Sequence, residues 1–301
     1  MLQRLWKPWF VHRPTQVGRR LYASLSPPPP GYRRLRTSWG VSLTADPSRT
    51  IGRNIVNTGL FDISVSEVLA RLIVPGSTVI DGGANIGYMT LLAALAAGPT
   101  GRVIAFEPHP ELSQILRANV AQAGVGRALA PIEVRQIALG DRPGVAELSI
   151  PDGFDGNDGI ATLVQGRKDS TRSVTVEVDT LDSLLGDTVV EVMKLDVEDF
   201  EYQVLLGAAQ ALQARRIRHI VFEDHHARDS QVIRLFQASG YELFSVGWTV
   251  KGLALKSFES GDLAASYESP SFIATIDAAA VHARCSGGRS GWKVLQKGLG
   301  P

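Results

Sequence analysis

Nine residues constrain the fold of this chain more than any other stretch: Val79-Ile80-Asp81-Gly82-Gly83-Ala84-Asn85-Ile86-Gly87. Apolar β-formers lead into an acid and then a glycine loop. An Ala- and Leu-rich helical stretch follows, and Val103-Ile104-Ala105-Phe106-Glu107-Pro108 again reads as an apolar strand ending in a carboxylate. The physical content is a βαβ unit that closes on a ligand. Glycine permits φ > 0 and close approach of the backbone, loop amides and a helix N-terminus receive an anionic group, and Glu107 can accept both hydroxyls of a ribose. An adenosine-containing cofactor suits such a unit, as either S-adenosylmethionine or a nicotinamide dinucleotide.

Spacing separates the two. A dinucleotide fingerprint is G-x-G-x-x-G, which lets a pyrophosphate rest on the helix N-terminus. The pattern here is D-x-G-x-N-x-G, and no G-x-G-x-x-G occurs anywhere in the chain. A methionine tail fits better: its carboxylate takes amides near Gly83 to Gly87, and Asp81 supplies negative charge for its ammonium and the sulfonium. The competing structural reading is a tight βα turn with no ligand.

Composition bounds the rest. The chain has 301 residues, 44% hydrophobic and 20% charged, enough for one domain with a large core. One cysteine, Cys285, excludes an internal disulfide framework and a cysteine-built metal site, so a reducing cytoplasm is the expected compartment. No run approaches the ~18 apolar residues of a membrane span. The net charge of +1 hides an asymmetry: residues 1–45 hold eight of the 31 basic residues and none of the 30 acidic ones. The sequence divides accordingly into a basic, Pro-rich arm over 1–38, a catalytic domain over 39–276 and a flexible tail over 277–301. The arm carries the stiff Pro27 to Pro30 spacer, and its Trp6, Trp9 and Phe10 beside basic residues can touch a membrane surface or a polyanion. A solvated extension is the blander reading, and no specific nucleic-acid partner is expected.

The hydrophobic pattern predicts alternating strands and helices. Strands are expected at Thr78 to Ile80, Val103 to Glu107, Ile132 to Leu139, Val189 to Leu195, His219 to Glu223, Tyr241 to Val246 and Pro270 to Ile276. Helices are expected at Val65 to Leu72, Thr90 to Ala97, Pro110 to Ala123, Val204 to Ala214 and Gln231 to Ala238. Repeated βα units imply a mostly parallel α/β sheet with helices on both faces, whose strand-end acids Asp81, Glu107, Asp196 and Glu223 gather at one edge. Val145 to Ile150 and Val174 to Val178 read as an inserted β-hairpin around the polar segment Asp152 to Lys168. Within that segment Asn157 to Leu163 is a candidate lid or an inert loop.

Two further constellations carry candidate chemistry. In Lys194-Leu-Asp196-Val-Glu198-Asp199-Phe-Glu201, Asp196 ends a buried strand, where a carboxylate without a task would be costly. Glu198 and Glu201 share a helix face and suit its N-terminal dipole. In Phe222-Glu223-Asp224-His225-His226, Glu223 and His225 are the candidate bases for removing a hydroxyl proton. A divalent metal held by these groups with Asp196 is the less favoured alternative.

Together DGGANIG, VIAFEPHP, LRANV, ALGD, VTVEVDTLDSL, KLDVEDFEYQVLLGA and IVFEDH resemble the FkbM family of S-adenosylmethionine-dependent methyltransferases, from about Trp39 to Ile276. The resemblance implies a class I methyltransferase fold, with a Rossmann-like sheet of seven strands, and O-methylation of a hydroxyl on a sugar, glycan or other small metabolite. By position it implies Asp81, Gly83, Asn85 and Gly87 as the cofactor loop, Glu107 at the ribose, Pro108 as a further cofactor-binding residue, Ala138 near the adenine, and Asp196 in the motif after the fourth parallel strand beside Glu198 and Glu201. In one departure, the family's LDVEG becomes Leu195-Asp-Val-Glu-Asp199; aspartate tolerates the left-handed turn better than most residues. Alternatives of other classes are a nicotinamide-dependent oxidoreductase, against which the missing G-x-G-x-x-G argues, and a catalytically silent binding module, against which the intact acids argue.

Overall fold

The computed structural model describes residues 14–124, 128–151, 170–226, 230–249, 251–261, 263–264 and 270–286. Trp6, Trp9, Phe10 and the candidate lid Asn157 to Leu163 lie outside them. Helix α1 (Gln16–Leu25) precedes an antiparallel hairpin of β1 (Arg33–Arg36) and β2 (Ser42–Ala45). Helices α2 (Thr50–Thr58) and α3 (Ile63–Leu72) lead into β3 (Thr78–Gly82), α4 (Tyr88–Ala97), β4 (Arg102–Phe106), α5 (Pro110–Ala123) and β5 (Ile132–Arg135). Strands β6 (Ala138–Leu139), β7 (Gly144–Pro151) and β8 (Ser170–Asp179) form a separate three-stranded sheet. The chain continues through α6 (Leu181–Leu185), β9 (Val190–Leu195), α7 (Glu201–Leu206), α8 (Ala209–Gln213), β10 (Ile217–Glu223) and α9 (Gln231–Ala238). It ends with β11 (Glu242–Thr249), β12 (Gly252–Ser257), β13 (Ser271–Thr275) and α10 (Ala278–Cys285).

The main sheet runs β12-β11-β13-β10-β9-β3-β4-β5. Strands β5, β4, β3, β9 and β10 are parallel, while β13 lies antiparallel between β10 and β11. This is the class I methyltransferase arrangement. The seven strands expected from sequence are present, and β12 adds an eighth at the edge through a hairpin with β11.

Strand alternation builds two cores. Val79, Val103, Val192, Val221 and Ile273 point to one face, against α2, α3, α4 and α10. Their neighbours Ile80, Ile104, Met193, Phe222 and Phe272 point to the other, against α6, α7, α8 and α9. A strand buried on both faces must be apolar at every position, which is why these segments read as continuous hydrophobic runs. Each such side chain contributes about 1.5–3 kcal/mol by burial. Two local breaks depart from the expected spans. The third strand stops at Arg135, and Ala138–Leu139 joins β8 in the second sheet; the helix expected through residues 204–214 is divided into α7 and α8.

Both chain ends are more integrated than expected. The division at residue 38 falls inside the β1–β2 hairpin, whose turn buries Trp39. The indole Nε1 donates to the Tyr88 hydroxyl at 3.1 Å. Asn119 Nδ2 donates to the carbonyls of Thr44 and Ile86, tying β2 to the glycine loop. At the other end, the expected tail is corrected over residues 278–285, which form α10. Asp277 caps it by accepting from the Ala280 amide at 3.0 Å, and Val281 and Cys285, one turn apart, are buried. Arg284 donates to the Leu72 carbonyl at 2.9 Å and pairs with Glu191. Deleting residues 1–38 strips β2 of its partner and should lower the melting temperature by about 4–10 °C. An unchanged calorimetric melting curve would show that the hairpin adds nothing to stability.

Candidate active site

The site grows from the point where the strand order reverses. The chain leaves β3 toward β4 on one side, while β9 flanks β3 on the other, so a crevice opens at their carboxyl ends. The glycine loop occupies it. Amides of Gly83 and Ala84 both donate to the Phe106 carbonyl, at 3.0 and 2.9 Å, and the Asp196 amide donates to Gly82 at 3.2 Å. Gly83 has φ +75°, and a Cβ there would stand 1.9 Å from the Asp196 carbonyl oxygen. Gly87 has φ +91° and would drive a Cβ into Leu116, so both positions demand glycine. Asn85 takes φ 52°, and its Oδ1 accepts from the Ile86 amide at 2.7 Å.

Beneath the loop lies an ion cluster. Lys194 Nζ is 3.5 Å from Asp81 and 3.2 Å from Asp196, and it donates to the carbonyls of Gly82 and Gly83 at 3.4 and 2.9 Å. Burial works against the ammonium, but the charges and hydrogen bonds of Asp196 and Asp81 outweigh it and raise its pKa. Asp81 also accepts from Thr90 Oγ1 at 2.6 Å. It is thus a buried foundation of the loop and, like Gly87, does not line the cavity above. Asp196 is not the unpaired buried strand-end acid that the sequence suggests: it is paired with Lys194, and its side chain is 40% exposed.

Glu107 sits at the end of β4 with both oxygens engaged. One accepts from the Asn85 amide at 2.7 Å and the other from the His109 amide at 2.9 Å. Each carboxylate oxygen has a second lone-pair direction, so this geometry leaves acceptor capacity for two hydroxyls. Burial pushes the carboxyl up to about 7, against the two amides and the Lys194 charge.

The third group stands at the ends of β9 and β10. Glu198 and Asp199 both occupy the left-handed region, at φ 53° and 70°, so Asp199 takes the conformation that glycine would otherwise supply. Burial, then the charges of Asp196, Glu223, Glu201 and Asp199, push Glu198 up to about 8. Burial likewise raises Glu201 to about 7 although it accepts from the Val197 amide at 3.0 Å. His225 Nε2 lies 2.9 Å from Glu223 Oε1. Asp224 turns away, accepting from the His226 amide and Ser230 Oγ. Among the described residues no group of three or more His, Cys, Asp or Glu side chains has metal-binding geometry.

A cavity of about 630 Å³ joins these parts. Gly83, Asn85, Glu107, Pro108, Ala138, Asp196, Glu198, Glu223 and His225, all expected from the sequence, line it together. Phe106, Ile137, Leu139 and Leu148 form an apolar wall beside Ala138. Volumes of about 300–1,000 Å³ are usual for small-molecule and cofactor sites, and this one has room for an acceptor beside an adenosyl group. The sequence reading missed Lys194, whose buried position in the apolar β9 was the available signal. It also missed Arg20 and Asn54 on the cavity wall, since α1 and α2 carry no motif, and Tyr88, the first residue of α4 after the glycine loop.

The profile of the Methyltransferase FkbM domain matches residues 81–243, and the chain belongs to this family of S-adenosylmethionine-dependent methyltransferases. Among curated proteins it is 31% identical over 206 residues to the 31-O-demethyl-FK506 methyltransferase FkbM of Streptomyces tacrolimicus, covering 56% of this chain and 73% of the relative. It is 29% identical over 221 residues to the AMB antimetabolite synthetase AmbE of Pseudomonas aeruginosa, covering 60% of this chain and 10% of that much longer protein. Among solved structures, a methyltransferase FkbM from Methylobacillus flagellatus aligns with a TM-score of 0.43 at 15% identity, covering 69% of this chain and 50% of that one. No helix among the described residues is long and apolar enough to cross a membrane.

The buried acids set a pH dependence of stability. Glu198, Glu107 and Glu201 titrate in the folded protein near 8, 7 and 7, above the ordinary 4.5. The folded state therefore binds more protons than the unfolded chain, and the stability this confers is full below about pH 4.5 and lost as pH rises through about 7–8. The melting temperature should fall between about pH 6 and pH 9, and Glu198→Gln should shrink the fall. A wild-type melting temperature that rises over this interval contradicts the assignment.

Proposed function

We propose that the protein transfers a methyl group from S-adenosylmethionine to a hydroxyl of a sugar or other small metabolite. The observation that carries this reading is the Glu223–His225 pair, 2.9 Å apart, on the wall of the cavity that also exposes the glycine loop and Glu107. The S. tacrolimicus relative bears a name that specifies methylation at oxygen, which supports oxygen as the acceptor here.

Glu107 takes the ribose hydroxyls, the apolar wall at Ala138 covers the adenine, and the methionine end lies along the part of the glycine loop that faces the cavity, at Gly83 and Asn85. Bound there, S-adenosylmethionine supplies an electrophilic methyl group on a cationic sulfur. Asp196 adds negative charge beside that cation. The acceptor hydroxyl gives its proton to the ring nitrogen of His225 not engaged by Glu223, while Glu223 orients the imidazole and stabilises the imidazolium. Glu198, protonated below about pH 8, donates a hydrogen bond to the acceptor.

Binding and turnover separate the roles. Glu107→Ala should weaken S-adenosylhomocysteine binding more than tenfold, by about 1.5–3 kcal/mol. His225→Ala should bind it normally yet lose about 10²–10⁴-fold in turnover, read as S-adenosylhomocysteine release, on a hydroxyl compound that the wild type methylates. Calorimetry showing tight NAD binding with no affinity for S-adenosylhomocysteine would overturn the proposal, and an unimpaired His225→Ala would remove the base.

A further inference from the structure

Exposed apolar and basic side chains converge on one part of the molecule. Among the described residues nine large apolar side chains are exposed, and Val17, Leu21, Leu25, Tyr32 and Val56 all belong to the segment between residues 14 and 58. Val17, Leu21 and Leu25 recur every four residues along α1 and are 42%, 63% and 80% exposed, so they form one outward stripe. The opposite side of the same helix is committed to the protein: Gln16 is fully buried and Arg20 reaches the cavity wall. Arg19 Nη1 donates to the Val56 carbonyl at 3.2 Å, and Arg19, Arg36 and Val56 border one shallow depression, which brings α1, α2 and β1 side by side. Exposed Arg33, Arg34 and Arg53 continue the basic surface. Against these cations the segment from 14 to 58 carries one acid, Asp46, which is buried and paired with Arg49. The sequence immediately before it repeats the composition, with Arg4, Lys7 and Arg13 among Trp6, Trp9 and Phe10.

We propose that this face docks on an anionic lipid bilayer, with the α1 stripe in the acyl boundary and the surrounding arginines on the headgroups. A basic amphipathic helix with aromatic neighbours is the surface that such an interface accommodates. Each arginine near a negatively charged leaflet adds attraction that salt screens. A polyanion such as RNA would satisfy the arginines but give the Leu21 and Leu25 side chains no apolar partner. A second copy of the chain would cover the leucines but oppose like charges. A charged bilayer serves both components. Because α1 also contributes Arg20 to the cavity wall, docking would hold the helix in place where it borders the site.

Flotation of the full chain with vesicles tests this. Vesicles of phosphatidylcholine alone are compared with vesicles containing about 30% phosphatidylglycerol, at about 0.1 M and about 0.5 M salt. The wild type should float with the anionic vesicles at low salt, and weakly with neutral ones or at high salt. The Leu21→Asp/Leu25→Asp variant should lose about tenfold in bound fraction. Arg33→Gln/Arg34→Gln, on an exposed strand, should fall in the same direction. Both variants should bind S-adenosylhomocysteine like the wild type, which keeps a failure of docking distinct from a failure of the fold or of the methyltransferase reading. A wild type that stays with the aqueous phase at both compositions overturns the proposal, whether or not it binds transfer RNA or dimerises without lipid. So does a leucine variant that floats as well as the wild type.

Discussion

Lys194 reaches from β9 beneath the turn that ends β3, and the shape of the site depends on what its ammonium holds there. It joins the carboxylates of Asp81 and Asp196 and two carbonyls of the glycine loop, bringing together the ends of the two strands between which the sheet changes direction. The side chains of Lys194 and Asp81 are 8% and 2% exposed, so both charges are largely withdrawn from solvent. Removing one partner from such a buried pair costs about 3–5 kcal/mol, because the other charge is left uncompensated. The glycine at position 83 follows from the same constraint: pulled against the Asp196 carbonyl, the loop has no room for a Cβ.

From this clamp the rest of the site is positioned by ordinary packing. The Asn85 amide, presented by the left-handed turn of the loop, meets Glu107, and the His109 amide meets its other oxygen. Asn119 carries the constraint outward to the β1–β2 hairpin, so the amino-terminal segment is coupled to the glycine loop rather than appended to it. On the same face of the sheet, Glu67 accepts from Trp248 Nε1 at 2.7 Å and pairs with Arg71, whose guanidinium holds the carbonyl of Arg284 in the last described helix.

What could be read from the sequence was whatever local chemistry decides. Continuous apolar runs at β3, β4, β9 and β10 announce strands covered on both faces, and their terminal acids mark the edge at which the cavity opens, without reference to tertiary structure. The sense of β13, the departure of Ala138–Leu139 into a second sheet and the docking of α10 were not legible, because long-range pairing decides them. Asp81 shows the limit most clearly. Its strand-end position identified it as part of the site, yet only the folded chain reveals that it faces Lys194 and Thr90 beneath the loop. Asp199 is the converse case: its place in a left-handed turn followed from the family pattern and the tolerance of aspartate, and φ 70° agrees.

The most direct test of this account is calorimetric titration of S-adenosylhomocysteine into Lys194→Met. Methionine preserves the length and apolar stem of lysine while leaving Asp81 and the loop carbonyls without their cation. The account predicts a folded protein with a lower melting temperature and an affinity reduced by more than about thirtyfold, since the loop is no longer held against β9. Wild-type affinity together with an unchanged melting temperature in Lys194→Met would contradict the claim that this buried charge organises the site.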